Sequence, residues 1–242
     1  MAGLSCQMYL KEKDNMKKVL IVDDSKVLIT ALQGGLTKYK DHFEAVYAGD
    51  GLEAMNLLDE HSVSLVVTDI QMPVMDGLVL LAFIRERYPD IPCIIMSSYG
   101  DDELKSQVSP DIIHFIEKPV QVKKLAEMII NALSSKAVGR TGRIAISDLL
   151  NLIILGKKTC IFKIIPENGD SGYYYFYQGD LYNAVCGDRQ GADAVKAMLD
   201  YDKARLVFTK APATKGVKKV NVDLMQLIRQ AKASKLSVKV ER

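Results

Sequence analysis

Asp69 closes an apolar, strand-forming run, VVTD, and the chain breaks at once after it in IQMPVMDG. A carboxylate placed there is either the solvated last residue of a strand or the centre of a site, because the carboxyl edge of an open parallel sheet is where ligands bind. Other strand-like runs end in the same way. KKVLIVD closes on Asp23 and Asp24, PCIIMSS on Ser97 and Ser98, and IIHFIEK on Lys118 and Pro119. Three carboxylates brought to one edge repel one another unless positive charge sits among them. A divalent ion supplies it, and Mg2+ favours a few carboxylates, a carbonyl and waters. Lys118 adds a second positive charge and a serine hydroxyl adds a donor. The set suits a phosphoryl group carried on a carboxylate, since Asp can act as a nucleophile and form an aspartyl phosphate. Metal and lysine would neutralise the equatorial oxygens as charge develops during transfer.

The elements that must position these residues follow from periodicity. Strand-like KKVLIVD, FEAVYAG, SLVVTD, PCIIMSS and IIHFIEK alternate with helical patterns in SKVLITALQGGLTKY, DGLEAMNLLDEH, GLVLLAFIRERY, DDELKSQV and VQVKKLAEMIINALSSK. Ser25 and Asp50 are placed to cap the first two helices. Near-continuous apolar strands alternating with helices predict a parallel sheet covered on both faces. The fold class expected is α/β, a flavodoxin-like doubly wound five-stranded parallel sheet followed by a smaller α+β domain.

VDDS (22–25), TDIQMPVMDG (68–77), PCIIMSS (92–98) and FIEKP (115–119) resemble, in order and spacing, the motifs of response-regulator receiver domains, across roughly residues 16–136. The resemblance implies Asp69 as phosphoacceptor, Asp24 as a direct Mg2+ ligand, Asp23 as one acting largely through water, and the Gln71 backbone carbonyl as the remaining protein ligand. It further implies Ser97 as the hydroxyl that turns towards the phosphate, Lys118 as its ion-pair partner and Phe115 as the aromatic switch. Ser replaces the more usual Thr at 97, which keeps the hydroxyl. Phe stands where Tyr is common at 115, which excludes a signal through a tyrosine hydroxyl. Tyr99, on the loop after Ser97, is expected to shield the aspartyl phosphate from water.

SSKAVGRTGR (134–143) reads as a boundary, giving a receiver domain at 16–137, a linker at 138–143 and a second domain at 144–242. Beyond it the order changes to a helix, ISDLLNLIILGKK, with Ser147 or Asp148 near its start and Gly156 near its end. An antiparallel meander follows (TCIFKIIP, SGYYYFYQ, DLYNAVCG), then a helix, a strand (KARLVFTK) and a last helix. This half resembles the PATAN-type domains attached to receiver domains, which implies a protein-interaction module. SGYYYFYQ puts rings on both faces of a strand. One reading is a stacking platform; the favoured one is that one face lies in the core and the other against a helix or subunit.

The chain has 242 residues and an apolar fraction of 48%, the range of globular domains. Charge is uneven. Residues 1–139 carry 14 Lys+Arg against 20 Asp+Glu, and residues 140–242 carry 18 against 10. Opposite charge in the two halves supports two domains and two kinds of partner. Four scattered cysteines without a Cys-x-x-Cys pair suit a reducing compartment, and the start lacks the apolar core of a signal peptide. The expected location is cytoplasmic, with no membrane partner. The three histidines lie in the first half without ligand spacing, and no nucleophile–His–acid set is present, so the chain is not read as an enzyme beyond its own phosphorylation and dephosphorylation. These features predict a two-component response regulator. It would take a phosphoryl group from a sensor histidine kinase or phosphotransfer protein and signal by contact with an output protein, without specific nucleic-acid binding. A homodimer is compatible with the charge division. The alternative is a DNA-binding regulator using the basic half.

Overall fold

The computed structural model describes residues 16–73, 75–98, 113–134, 144–201, 204–211 and 216–240. The helix expected over DDELKSQV, Tyr99 and the linker at 138–143 lie outside the described residues. The chain divides into two compact units, one built on a parallel sheet and one on an antiparallel sheet; residues Leu81–Pro89 group with the second.

In the first unit β1 (Lys18–Val22), β2 (Glu44–Ala48), β3 (Val63–Asp69), β4 (Cys93–Ser97) and β5 (Ile113–Glu117) form a parallel sheet in the order β2-β1-β3-β4-β5. The order reverses at β1, which pairs with both β2 and β3, so the crevice beyond β1 and β3 is the switch point of a doubly wound sheet. The helices are α1 (Lys26–Leu36), α2 (Gly51–Glu60), the start of α3 (Gly77–Arg87) and α4 (Val122–Ser134). Ser25 caps α1 by accepting the Leu28 N–H, and Asp50 caps α2 by accepting those of Leu52 and Glu53. The apolar stripe of α4, with Leu125, Ala126 and Ile129 fully buried, packs with Val19, Ile21, Leu65 and Val67 in the core. That burial on both faces explains why the strands read as unbroken apolar runs.

In the second unit α5 (Ile146–Leu155) precedes β6 (Cys160–Pro166), β7 (Gly172–Tyr177), β8 (Asp180–Cys186) and the two-residue β9 (Arg189–Gln190). Then come α6 (Gly191–Leu199), β10 (Ala204–Lys210) and α7 (Leu224–Val240). The sheet is antiparallel, in the order β10-β6-β7-β8-β9. Ser147 and Asp148 lie in the first turn of α5, near its start as expected; the N-cap is Ala145, and Asp148 serves the helix start by accepting the Ala145 N–H at 3.0 Å. The short strand β9 went unforeseen, because two residues are too few to show a period. Gly156 is the C-cap of α5, as expected. The last helix, α7, starts at Leu224.

Candidate functional site

Register alone brings the acidic residues and the lysine together. Val22 pairs with Thr68, so Asp23 leaves β1 level with Asp69 on β3. Asp69 pairs with Met96, which puts Ser97 one step further on, and Ser97 pairs with Glu117, which puts Lys118 one step beyond β5. Parallel strands of similar length cannot avoid ending on one edge, and here each ends in a residue with chemistry to offer.

Side chains close the arrangement. The Lys118 ammonium donates to Asp23 Oδ2 at 2.7 Å and to Asp69 Oδ2 at 2.6 Å. Its backbone N–H donates to the Ser97 carbonyl at 2.9 Å, tying the end of β5 to that of β4. Partial burial pulls the Lys118 pKa down, but the hydrogen bonds and charges of Asp23 and Asp69 outweigh it and hold the ammonium above the ordinary lysine value. Asp23 is almost fully buried and accepts the Ser25 N–H at 2.9 Å; Asp24 is exposed. Asp69 is 8% exposed and accepts the Gln71 N–H at 3.1 Å through its other oxygen. Each of Asp23, Asp24 and Asp69 offers an oxygen within 4.8 Å of the others. Hard oxygen donors this close, without sulfur or imidazole among them, fit a Mg2+ ion, which binds through few carboxylates and keeps waters.

The structure therefore brings Asp23, Asp24, Asp69 and Lys118 to one place, with Gln71 two residues after Asp69. Ser97 is buried at the end of β4. Phe115 is half-buried within β5, beside Ile95 in register.

A supporting residue was not singled out from sequence. A Cβ built on Gly77 would lie 2.0 Å from the Asp69 carbonyl oxygen, and the Gly77 N–H donates to the Ile70 carbonyl at 3.2 Å. Only a residue without a side chain lets α3 begin directly against the end of β3. Asp76 completes that start, its Oδ1 accepting the N–H groups of Leu78 and Val79. The signal was present as the MDG that ends the quoted motif, where an Asp precedes a helical pattern.

Residues 19–130 match the family model described as the response regulator receiver domain. The chain is 35% identical over 127 residues to an uncharacterized response regulatory protein of Staphylococcus epidermidis, covering 52% of this chain and 49% of that one. It is 37% identical over 120 residues to the transcriptional regulatory protein HptR of Staphylococcus aureus, covering 49% and 46%. The chain thus spans about half the length of the curated relatives it matches. Among solved structures, a two component transcriptional regulator AraC from Clostridium phytofermentans aligns with a TM-score of 0.45 at 29% identity, over 52% of this chain and 97% of that one. A receiver domain protein (CheY-like) from Methanospirillum hungatei aligns at 0.42 and 25%, over 49% and 94%. Residues 19–130 are a response regulator receiver domain with an acidic phosphorylation pocket.

Proposed function

We propose that the chain is a two-component response regulator that accepts a phosphoryl group on Asp69 from a histidine kinase or phosphotransfer protein and signals through protein contacts of its C-terminal unit. The observation that carries the reading is the Lys118 ammonium held between Asp23 and Asp69 at 2.7 and 2.6 Å. It places a fixed cation where a transferred phosphoryl group brings negative charge.

In the transfer, a carboxylate oxygen of Asp69 attacks phosphorus, the P–N bond of the donor phosphohistidine breaks, and the imidazole leaves with the bonding pair. Asp23, Asp24, Asp69 and the Gln71 carbonyl are the residues that would hold Mg2+, which supplies charge neutralisation at the phosphoryl oxygens. The Gln71 N–H, which donates to Asp69 Oδ1 at 3.1 Å, fixes the carboxylate's orientation before attack. Afterwards Lys118 exchanges its bond to Asp69 for one to a phosphoryl oxygen. The Ser97 hydroxyl turns towards the same group, and Phe115 follows into the space released. The result is a population shift between two arrangements of the β4–β5 edge rather than a new fold.

For the output, protein contact is favoured over DNA because, among the described helices of the C-terminal unit, the excess of cations is confined to α7, where Arg229, Lys232, Lys235 and Lys239 are scattered along an amphipathic helix. α5 is wholly apolar apart from Ser147, Asp148 and Asn151, and α6 carries one acid and one base. A pull-down with acetyl-phosphate-treated wild type and with Asp69→Asn protein tests this. Partners retained differently by the two states support the reading, and identical retention of every partner contradicts a phosphorylation-controlled contact.

A further inference from the structure

The antiparallel sheet of the second unit has one face filled and, among the described residues, one only partly covered. On the filled face Phe162 stacks with Phe208 at 4.6 Å and lies 6.0 Å from Tyr174, whose hydroxyl donates to the Val195 carbonyl of α6 at 3.3 Å. On the other face the pairing register sets Tyr173, Tyr175 and Tyr177 of β7 beside Ile161 and Ile165 of β6 and Val207 of β10. All six are half-buried, while Lys163, Arg205 and Thr209 among them are exposed, so this face meets solvent.

Its chemistry is apolar with cations set through it. Lys163 sits between Tyr173 and Val207 in register, and Arg205 pairs with Ile165 at one end. At the other end the returning chain crosses the tyrosines. The Gly216 N–H donates to the Tyr175 hydroxyl, the Lys219 N–H donates to the Tyr182 carbonyl at 2.8 Å, and the Lys218 ammonium lies 5.8 Å from the Tyr182 ring centre. Among the described residues the acid on this face is Asp180, at the turn opposite Tyr177. Tyrosine and arginine are enriched in protein-binding patches, and the lysines on this one add charge that selects a partner.

Three occupants compete. A second copy docking through the same face would bring two surfaces bearing Lys163, Arg205 and Lys218 together, with Asp180 the one described acid on this face to offset them. Nucleic acid would need open ring faces for stacking. Here Tyr175 and Tyr177 meet Tyr182 at interplanar angles of 67° and 54°, so the rings stand as a ridge and engage one another. An acidic amphipathic segment satisfies both features at once. We propose that this sheet face docks an acidic amphipathic segment of a partner protein, with apolar side chains against the tyrosines and carboxylates on Lys163, Arg205 and Lys218. The proposal rests on the reading that the C-terminal unit acts through protein contact, and it names the surface and the partner's chemistry.

The test titrates the full isotopically labelled chain, by NMR at physiological salt, with three short helical peptides that share a Leu/Phe face and carry Glu, Gln or Lys on the other. A single-stranded oligonucleotide is the fourth probe. The Glu peptide is expected to shift the amides of Lys163, Tyr173 and Val207 and to bind roughly tenfold more tightly than the Gln peptide, a difference of about 1.4 kcal/mol. The Lys peptide is expected not to bind. Lys163→Glu with Arg205→Glu should weaken the Glu peptide by a similar factor; the milder Lys163→Gln gives a second reading if that double variant unfolds. Equal binding of the Glu and Gln peptides, or no binding, overturns the proposal. Glu-peptide shifts mapping elsewhere on the C-terminal unit reject this face while leaving the protein-contact reading intact. Oligonucleotide shifts on this face in place of peptide shifts overturn both.

Discussion

Lys118 serves two carboxylates at once, and its removal sets Asp23 and Asp69 against each other with nothing between them. Breaking a fully buried pair costs ~3–5 kcal/mol. The Lys118 side chain is 21% exposed, so solvent screens part of the loss, and Lys118→Met is expected to lower unfolding stability by about 1–2 kcal/mol. The pH dependence has a definite sign. The folded-state pKa of Lys118 lies above its ordinary value, so its contribution is complete below the ordinary lysine value and is lost as pH rises through the folded one. Urea titrations of wild type and Lys118→Met should therefore differ by a constant amount from neutrality up to the ordinary lysine range, and the gap should close only above it. A gap that closes near neutral pH contradicts the assignment. At this scale the site was legible because each strand end carries its own signature residue. The roles proposed for Ser97 and Phe115 depend on movement and rest on resemblance alone, since an unphosphorylated residue's type does not state where it goes.

Element positions follow from periodicity wherever an element is long enough to show a period, and fail where packing decides. The buried polar residues of α5 are a case of the second kind: Ser147, Asp148 and Asn151 lie inside a helix with hardly an exposed residue, and nothing in ISDLLN distinguishes a capping Asp from one in the first turn. The junction of β3 and α3 is a sharper case. Gly77 reads as an ordinary turn glycine until the 2.0 Å approach to the Asp69 carbonyl is seen. Gly77→Ala should cost about 2–3 kcal/mol in denaturant unfolding, since the clash is with backbone that cannot step aside. It should also slow phosphorylation by displacing Asp69. Unchanged stability would mean that α3 can start elsewhere. β4 makes a separate prediction. Burial pushes the Cys93 thiol up to about 12, so in native protein at pH 8 iodoacetamide should modify the half-buried Cys160 well before Cys93. Peptide mass spectrometry reads the order, and early labelling of Cys93 would show β4 to be less protected than its zero exposure implies.

For the whole molecule, the expected boundary rests on a change from alternating strand and helix to a meander and on a change in the sign of charge, while the compact units do not divide at one point, since Leu81–Pro89 group with the second. The structure bears out a parallel sheet followed by an antiparallel one. Among the described residues no helix is long and apolar enough to cross a membrane. What the sequence hid was which sheet face of the second unit is only partly covered, because tyrosines suit either side of a strand; cross-strand register and the stacking of Phe162 with Phe208 resolve it. The excess positive charge of residues 140–242 is scattered over loops, strands and α7 with no single cluster, which gives weak, sequence-independent attraction to phosphates. Retention on DNA at low salt should be equal for unrelated sequences and vanish near roughly 0.15 M salt, where screening acts within about 8 Å. A footprint at a defined site under those conditions would favour a transcription factor.

The central claim is that Asp69 is the phosphoacceptor, and intact mass spectrometry after incubation with acetyl phosphate and Mg2+ tests it most directly. Wild type is expected to gain one phosphoryl group, and to gain none when Mg2+ is chelated. Asp69→Asn is expected to gain none in either case. Equal labelling of wild type and Asp69→Asn would contradict the account.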